Sequence, residues 1–271
     1  LEDQRWQHLS RKIAVSSKHP PKKKQWRWLP AAACILFVLA GMLYFSQEQA
    51  EPKPTTVPYA IISTKPGQKA NLKLPDGTTV HLNSASKLRY PKNFEENKRQ
   101  VYLTGEAYFS VATDTKRPFT VFSSKTVTQI LGTSFNLKAY PDEEETTILV
   151  TAGKVNFRSK HNSKMLLLQA NQLAQYSQNK LSRTDRVSPE DLIAWRNDQL
   201  IFRNEPLSAI FRNLERWYGV SVHVQDALLL EKRYTGRFQR ARLQQVLKSI
   251  GFALSFEYTI NNKHVIIHTS P

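Results

Sequence analysis

The chain has a single cysteine, Cys34, among 271 residues. No disulfide can form within it, so the fold must be held by an apolar core, which a chain of this length can supply. Catalytic signatures are missing too. There is no G-x-S-x-G, no P-loop, no C-x-x-C and no dinucleotide fingerprint. The histidines offer no metal site: His264 and His268 share a strand face but stand roughly 13 Å apart on it, too far to hold one ion. His81, His161 and His223 lack an H-x-x-H or H-E-x-x-H context. The acidic run Asp142-Glu143-Glu144-Glu145 lacks the spaced oxygens and glycine of a calcium loop and reads as a solvated hairpin tip. Acid is scarce overall, with 22 Asp and Glu against 39 Lys and Arg, a net charge of +17. On a cytosolic protein that balance would suggest nucleic acid. Outside a membrane it points to anionic headgroups, an acidic partner or a solvated basic surface. Heptads, low-complexity tracts and clear internal repeats are absent. Metal, cofactor and direct nucleic-acid partners are therefore not expected.

One long uncharged run is present, Leu29 to Phe45, LPAAACILFVLAGMLYF. As a helix it reaches about 26 Å, near the lower limit for crossing a bilayer core. Trp26, Trp28 and Tyr44 flank it with side chains that favour the headgroup layer. Residues 1–28 hold eight basic residues against two acidic ones, whereas SQEQAEPK follows the run. Positive flanks stay cytoplasmic, which predicts a single-pass protein of the inner (cytoplasmic) membrane, N-terminus inside and C-terminus in the periplasm. No A-x-A site follows the run, and Cys34 lies too early in it for a lipoprotein cysteine, so a retained anchor is expected rather than a signal peptide.

The predicted order is a cytoplasmic segment (1–28), a transmembrane helix (29–46), a linker (47–58), a β domain (59–188) and a small α+β domain (189–271). In the first segment Trp6, Leu9 and Ile13 share a helix face. With no initiator methionine, this stretch is expected to be the end of a longer cytoplasmic domain. Pro52, Pro54 and Pro58 make the linker an extended spacer. From Tyr59 apolar residues alternate in short runs separated by turns such as Pro75-Asp76-Gly77, which predicts an all-β sandwich or a solenoid-like domain. After Val187 the texture changes. Leu200–Phe202 is predicted as a strand, Asn204 as a helix cap with Pro206 in the first turn, and Leu207, Ile210, Phe211 and Leu214 as one helix face ended by Gly219. Val220, Val222 and Val224 alternate as a strand. A second helix carrying Leu243, Val246, Leu247 and Ile250 is expected to start near Gln239–Arg242 and close at Gly251. The final strands pair across Asn261-Asn262. The order is βαβ-βαβ-β.

LPDGTTVHLNSASKLRYP, VYLTGEAYFSVA, ILGTSFNLKAY and VTAGKV resemble the periplasmic domain of FecR-family anti-sigma factors. LIFRNEPLSAIFRNLERWYGVSV through TGRF to HVIIH resembles the C-terminal domain of one branch of that family, similar to the secretin and TonB N-terminal fold. The resemblance implies a transmembrane regulator of an extracytoplasmic-function (ECF) sigma factor, not an enzyme. Its partners would be the sigma factor, the periplasmic signalling domain of a TonB-dependent outer-membrane receptor, envelope proteases and the lipid bilayer. The signal would be a nutrient, an iron chelate or a glycan. Some members cut themselves at a Gly-Thr bond, which by resemblance is Gly132–Thr133 here. Thr133 would attack the Gly132 carbonyl, shifting the acyl group from nitrogen to oxygen before hydrolysis. The plain alternative is a bend before a strand, with Thr133 facing solvent.

For receptor docking, Val220, Val222 and Val224 form a candidate sheet edge, with Arg212 and Arg216 a helical turn apart beside it. Trp217 is either a contact of the kind enriched in hot spots or a cap on its own core. The family's several-helix sigma-binding domain has only the 1–17 stretch to correspond to it. A membrane-anchored envelope structural or adhesive protein is the competing reading.

Overall fold

The computed structural model describes residues 37–42, 58–161, 164–185 and 187–269. Of the predicted membrane span only 37–42 is described; it is helical, with Phe37, Val38, Leu39 and Met42 exposed. No helix among the described residues is long and apolar enough to cross a membrane. The predicted face of Trp6, Leu9 and Ile13 and all of the linker before Pro58 lie outside the described residues. The chain divides into two compact units, Leu1–Thr56 and Val57–Pro271.

The second unit begins with thirteen strands. They are β1 (Tyr59–Ser63), β2 (Ala70–Lys73), β3 (Thr79–Leu82), β4 (Lys87–Pro91), β5 (Arg99–Ser110), β6 (Phe119–Phe122) and β7 (Thr126–Ile130). Then come β8 (Ser134–Ala139), β9 (Thr146–Ala152), β10 (Lys154–Ser159), β11 (Met165–Gln169), β12 (Gln172–Ser177) and β13 (Lys180–Thr184). They form two sheets that share β5. The first runs β1-β4-β5-β6-β7-β10-β11 and the second β2-β3-β5-β8-β9-β12-β13. The hand-over is at Gly105: Thr104 still pairs with Lys87 of β4, and Gly105 already pairs with Ala139 of β8. Gly105 has φ +96, a turn of the strand that a side chain resists. Every pairing is antiparallel except β5 with β6.

The inward residues of both sheets fill one core, which makes the domain a sandwich rather than a solenoid. Phe109 and Phe135 stack at its centre, 5.0 Å apart and 14° from parallel. Each buried Phe or Leu contributes about 1.5–3 kcal/mol. One ion pair is buried with them: Arg99 Nη1 meets Asp76 Oδ2 at 2.8 Å, the two side chains 1% and 3% exposed. Arg99 also donates to the carbonyls of Arg117, Ala112 and Asp114, so each of its three guanidinium nitrogens has a partner.

A connector with helical turns at Pro189–Leu192 and Ala194–Asn197 leads to the C-terminal module. Its elements are β14 (Gln199–Pro206), α1 (Leu207–Tyr218), β15 (Ser221–Val224), β16 (Arg233–Gln239), α2 (Leu243–Leu254), β17 (Phe256–Asn261) and β18 (His264–Thr269). β14 pairs with β16; β18 lies between β15, parallel to it, and β17, antiparallel. Leu207, Ile210, Phe211 and Leu214 of α1 and Val246, Leu247 and Ile250 of α2 enter one core.

Local details correct the sequence reading. Asn204 does not cap α1: it sits in a bulge of β14 with φ +51, and the cap position is Pro206. Gln239 belongs to β16, and α2 starts only at Leu243, where Gln245 Oε1 accepts the Arg242 N–H at 2.8 Å. Gly251 does not close α2, which runs on to Leu254. A Cβ at Gly251 would lie 2.7 Å from the carbonyl oxygen of Phe256, so the glycine marks close packing of the returning chain.

Candidate functional site

The peptide joining Gly132 and Thr133 sits between β7 and β8, gripped from two sides. A Cβ on Gly132 would lie 2.5 Å from Thr113 Oγ1 and 2.9 Å from its Cα. Opposite, a Cβ on Gly153 (φ +82) would lie 2.8 Å from Thr133 Oγ1 and 2.9 Å from the Gly132 carbonyl oxygen. Both approaches need glycine. The flanking backbone is pinned: Asp114 N–H donates to Leu131 O at 2.9 Å and Val111 N–H to Thr133 O at 3.0 Å. Arg99 holds the 112–117 loop that makes one wall, so the buried ion pair supports this peptide indirectly. Thr133 is 5% exposed, and its hydroxyl donates to Lys154 O at 2.8 Å. A backbone carbonyl is too weak a base to remove that proton. An attack on Gly132 therefore requires the hydroxyl to leave this bond and pass its proton to water. Thr133 is not the solvent-facing residue that the plain-bend alternative supposes.

The predicted docking residues divide into two groups. Val220, Val222 and Val224 lie on or beside β15, half-buried against the module's core, and among the described residues β15 has a strand neighbour on one side only. Ser221 N–H and Gln225 N–H point to β18, donating to Lys263 O and Ile267 O at 2.8 and 3.0 Å. The amides of the alternating valines thus face the open edge. Val222 N–H does not point into solvent: it donates to Glu215 Oε1 at 2.8 Å, while Val220 N–H reaches Glu215 O at 3.3 Å. Glu215, unnoticed in the sequence, covers the edge that the alternation reveals.

Arg216 and Trp217 face the β domain instead. The Arg216 guanidinium lies 4.1 Å over the Tyr140 ring and pairs with Asp142 at 2.9 Å and with Glu143. The acidic β8–β9 hairpin is therefore a counter-charge for the C-terminal module rather than only a solvated tip. Lys69 closes the other side of the seam. Its Nζ donates to Trp195 O at 2.7 Å and Asp198 Oδ1 at 2.9 Å, and stands 3.9 Å from the Trp217 ring. Arg212 borders a cavity lined by the same acidic hairpin, and its Nε has no hydrogen-bond partner among the described residues.

The seam covers the outer face of the second sheet. There a cross-strand row runs from His81 through Tyr108, Asn136 and Leu149 to Leu173. Trp195 Nε1 donates to Asn136 Oδ1 at 3.2 Å, and the Arg196 guanidinium lies 3.8 Å over Tyr108. Glu106 is on this same outward face, yet the overlying module buries it. Asn83 and Asn136 each donate to it at 2.8 Å. Burial pushes the Glu106 carboxyl up, against the nearby Lys138 charge and the two amides. A cavity of about 140 Å³ lies between Glu106 and the side chains of Asn213 and Trp217. An acid on the outward side of a strand gives no sequence signal of burial; only the docked module creates it.

Comparison with known proteins follows this architecture. The profile described as FecR protein matches residues 60–156, and the profile described as FecR, C-terminal, matches residues 199–267. The chain belongs to the FecR family. Two crystal structures of a candidate anti-sigma factor from Parabacteroides distasonis are similar to it, each at 27% identity. At 1.65 Å resolution the TM-score is 0.73, covering 78% of this chain and 100% of that one. At 2.50 Å it is 0.74, covering 79% and 100%. No curated protein matches the sequence significantly. FecR membership places the chain among regulatory proteins rather than enzymes.

Proposed function

We propose that this FecR-family protein controls an ECF sigma factor from the inner membrane. In this reading residues 29–46 anchor it, the first segment meets the sigma factor in the cytoplasm, and residues 59–271 lie in the periplasm. The signal comes from the periplasmic domain of a TonB-dependent outer-membrane receptor for a nutrient, an iron chelate or a glycan. Family membership and the solved neighbours support the sigma-regulating role; the uncharged run and its basic flank support the topology. The observation that carries receptor docking is the unpaired side of β15, guarded by the Glu215 carboxylate on the Val222 amide, which one added strand would displace. Thr133 and Gly132 supply the self-cleavage step, and envelope proteases act afterwards.

The test is calorimetric titration of residues 57–271 with the periplasmic signalling domain of a TonB-dependent receptor from the same organism. Val222→Pro removes an outward amide without touching a bond to β18, and is expected to weaken binding about tenfold or more. Unchanged affinity in a folded variant would remove β15 from the docking surface. On a denaturing gel the purified protein is expected to show two fragments, and Thr133→Ala one; a single wild-type band would mean no self-cleavage.

A further inference from the structure

The two outer faces of the sandwich are treated differently. On the second sheet the row from His81 to Leu173 lies under the connector and the C-terminal module. The first sheet carries a matching row, and among the described residues it is left open. In register, Ile61 faces Arg89, Arg89 faces Tyr102, and Tyr102 faces Phe122. The row continues through Val127 to Arg158 and Met165, crossing all seven strands.

At its middle a cation sits among aromatic rings. The Arg89 guanidinium lies 4.5 Å from the Tyr59 ring and 4.0 Å from the Tyr102 ring, and Tyr102 stacks on Phe122 at 5.2 Å and 21°. The Tyr59 ring meets that of Tyr102 edge to face, 6.1 Å away and 65° from parallel, so the cation is held between two differently turned rings. The edges of the sheet are apolar and exposed: Ile61 is 55% accessible on β1, and Met165 and Leu167 are 57% and 52% accessible on β11.

Charge selects the partner. Lys87, Arg89, Lys154 and Arg158 all point outward from this sheet, and no outward position in it is Asp or Glu. Glu95, in the loop after β4, is paired with Lys98 at 3.1 Å. A stacked basic and aromatic face with apolar side chains at both margins has the composition of a surface that rests on anionic headgroups. The chain also enters this domain at β1, the margin strand of the face, about a dozen residues after the uncharged run ends. We infer that the open face of the first sheet binds an anionic phospholipid surface, which rests on the membrane-anchored reading above. Lying against the bilayer by this face leaves the opposite sheet, with the C-terminal module and the β15 edge, turned to the compartment.

The test uses residues 57–271, one compact unit whose two cores are its own and to which the solved neighbours correspond over their whole length. Because this fragment lacks the uncharged run, its binding reports the face alone; carbonate extraction of the full chain reports the anchor separately. The probe is sedimentation with vesicles of phosphatidylcholine containing about one part in three phosphatidylglycerol. The fragment is expected to sediment with these vesicles, to stay in solution with pure phosphatidylcholine, and to be released by salt. Arg89→Glu with Arg158→Glu is expected to lower the partition coefficient about tenfold, whereas Lys248→Glu with Lys263→Glu, an equal change of net charge elsewhere, leaves it within about twofold. If the charge reversal at Arg89 disturbs folding by circular dichroism, Met165→Ser with Leu167→Ser replaces it and is expected to lower partitioning about threefold or more. No binding to the anionic vesicles, or equal losses from the two charge-reversed pairs, overturns the inference. So does a concentration-dependent dimer that the Arg89 and Arg158 changes abolish, which would assign the face to a second copy.

Discussion

The guanidinium of Arg216 lies 4.1 Å over the ring of Tyr140, joining a helix of the C-terminal module to a strand end of the β domain. Asp142 and Glu143 complete the grip, and Arg216 is only 12% exposed in it. A charge-assisted bond so shielded contributes roughly 2 kcal/mol to docking. Arg216→Ala is therefore expected to loosen the module while leaving both cores folded. Limited proteolysis in the connector, residues 187–198, should quicken about tenfold or more. The swap of Arg216→Glu with Glu143→Arg should restore part of the protection; an unchanged cleavage rate in Arg216→Ala would mean that the seam is held elsewhere.

Glu106 makes that seam sensitive to pH. Covered by the module, its carboxyl keeps its proton to higher pH than the ordinary 4.5. Above that value the folded state holds a proton that the unfolded chain has released, so stability falls as pH rises until Glu106 ionises in place. The slope cannot exceed about 1.4 kcal/mol per pH unit for one proton. Glu205, also raised by burial, acts in the same direction. Urea midpoints are expected to fall on going from about pH 5 to about pH 8. Glu106→Gln should flatten that fall. A Glu106→Gln profile parallel to wild type would show that Glu106 is ionised throughout.

Asp76 and Arg99 form the buried pair of the β domain, and Asp76 also accepts from the Thr78 amide and hydroxyl at 3.0 and 2.8 Å. Asp76→Ala leaves a buried guanidinium without its counter-charge, at a cost of about 3–5 kcal/mol. Chemical denaturation should show the β domain losing that much. Because Arg99 holds the 112–117 loop, any cleavage at Gly132–Thr133 should slow as well. A loss below about 1 kcal/mol would show that water replaces the carboxylate.

Local patterns were legible in the sequence where the local chain decides the outcome. Pro75-Asp76-Gly77 does turn between β2 and β3, and Leu207, Ile210, Phe211 and Leu214 do form one buried helix face ended by Gly219. Features that depend on distant packing were not legible. Gly251 looks like a helix stop, but the chain returning at Phe256 needs the space, so the helix continues. Arg216 looks like a surface residue because its partners lie more than seventy residues away. Glu106 looks exposed because strand alternation puts it outside, and only the second module covers it. The candidate site was legible in its residue types at Gly132–Thr133. Its walls, Thr113 and Gly153, come from loops about twenty residues away on either side, and nothing local to Gly132 announces that they meet it.

Glu215 yields the prediction that bears most directly on the proposed docking edge. Its carboxylate accepts the Val222 amide at 2.8 Å, occupying the donor that an added strand would use. An incoming strand must displace the carboxylate and leave it to water, so part of the ladder's free energy is offset. Glu215→Ala frees that amide in advance. The affinity for a strand-adding partner is then expected to rise about three- to tenfold, a gain of roughly 1 kcal/mol. The same change unguards the edge, so self-association in sedimentation runs should also increase. Glu215→Gln separates the two roles of the side chain: it can still accept the amide but has no charge, and should fall between wild type and alanine. If both variants bind the receptor domain as wild type does, the partner does not use the Val222 amide, and docking belongs to another edge of the module.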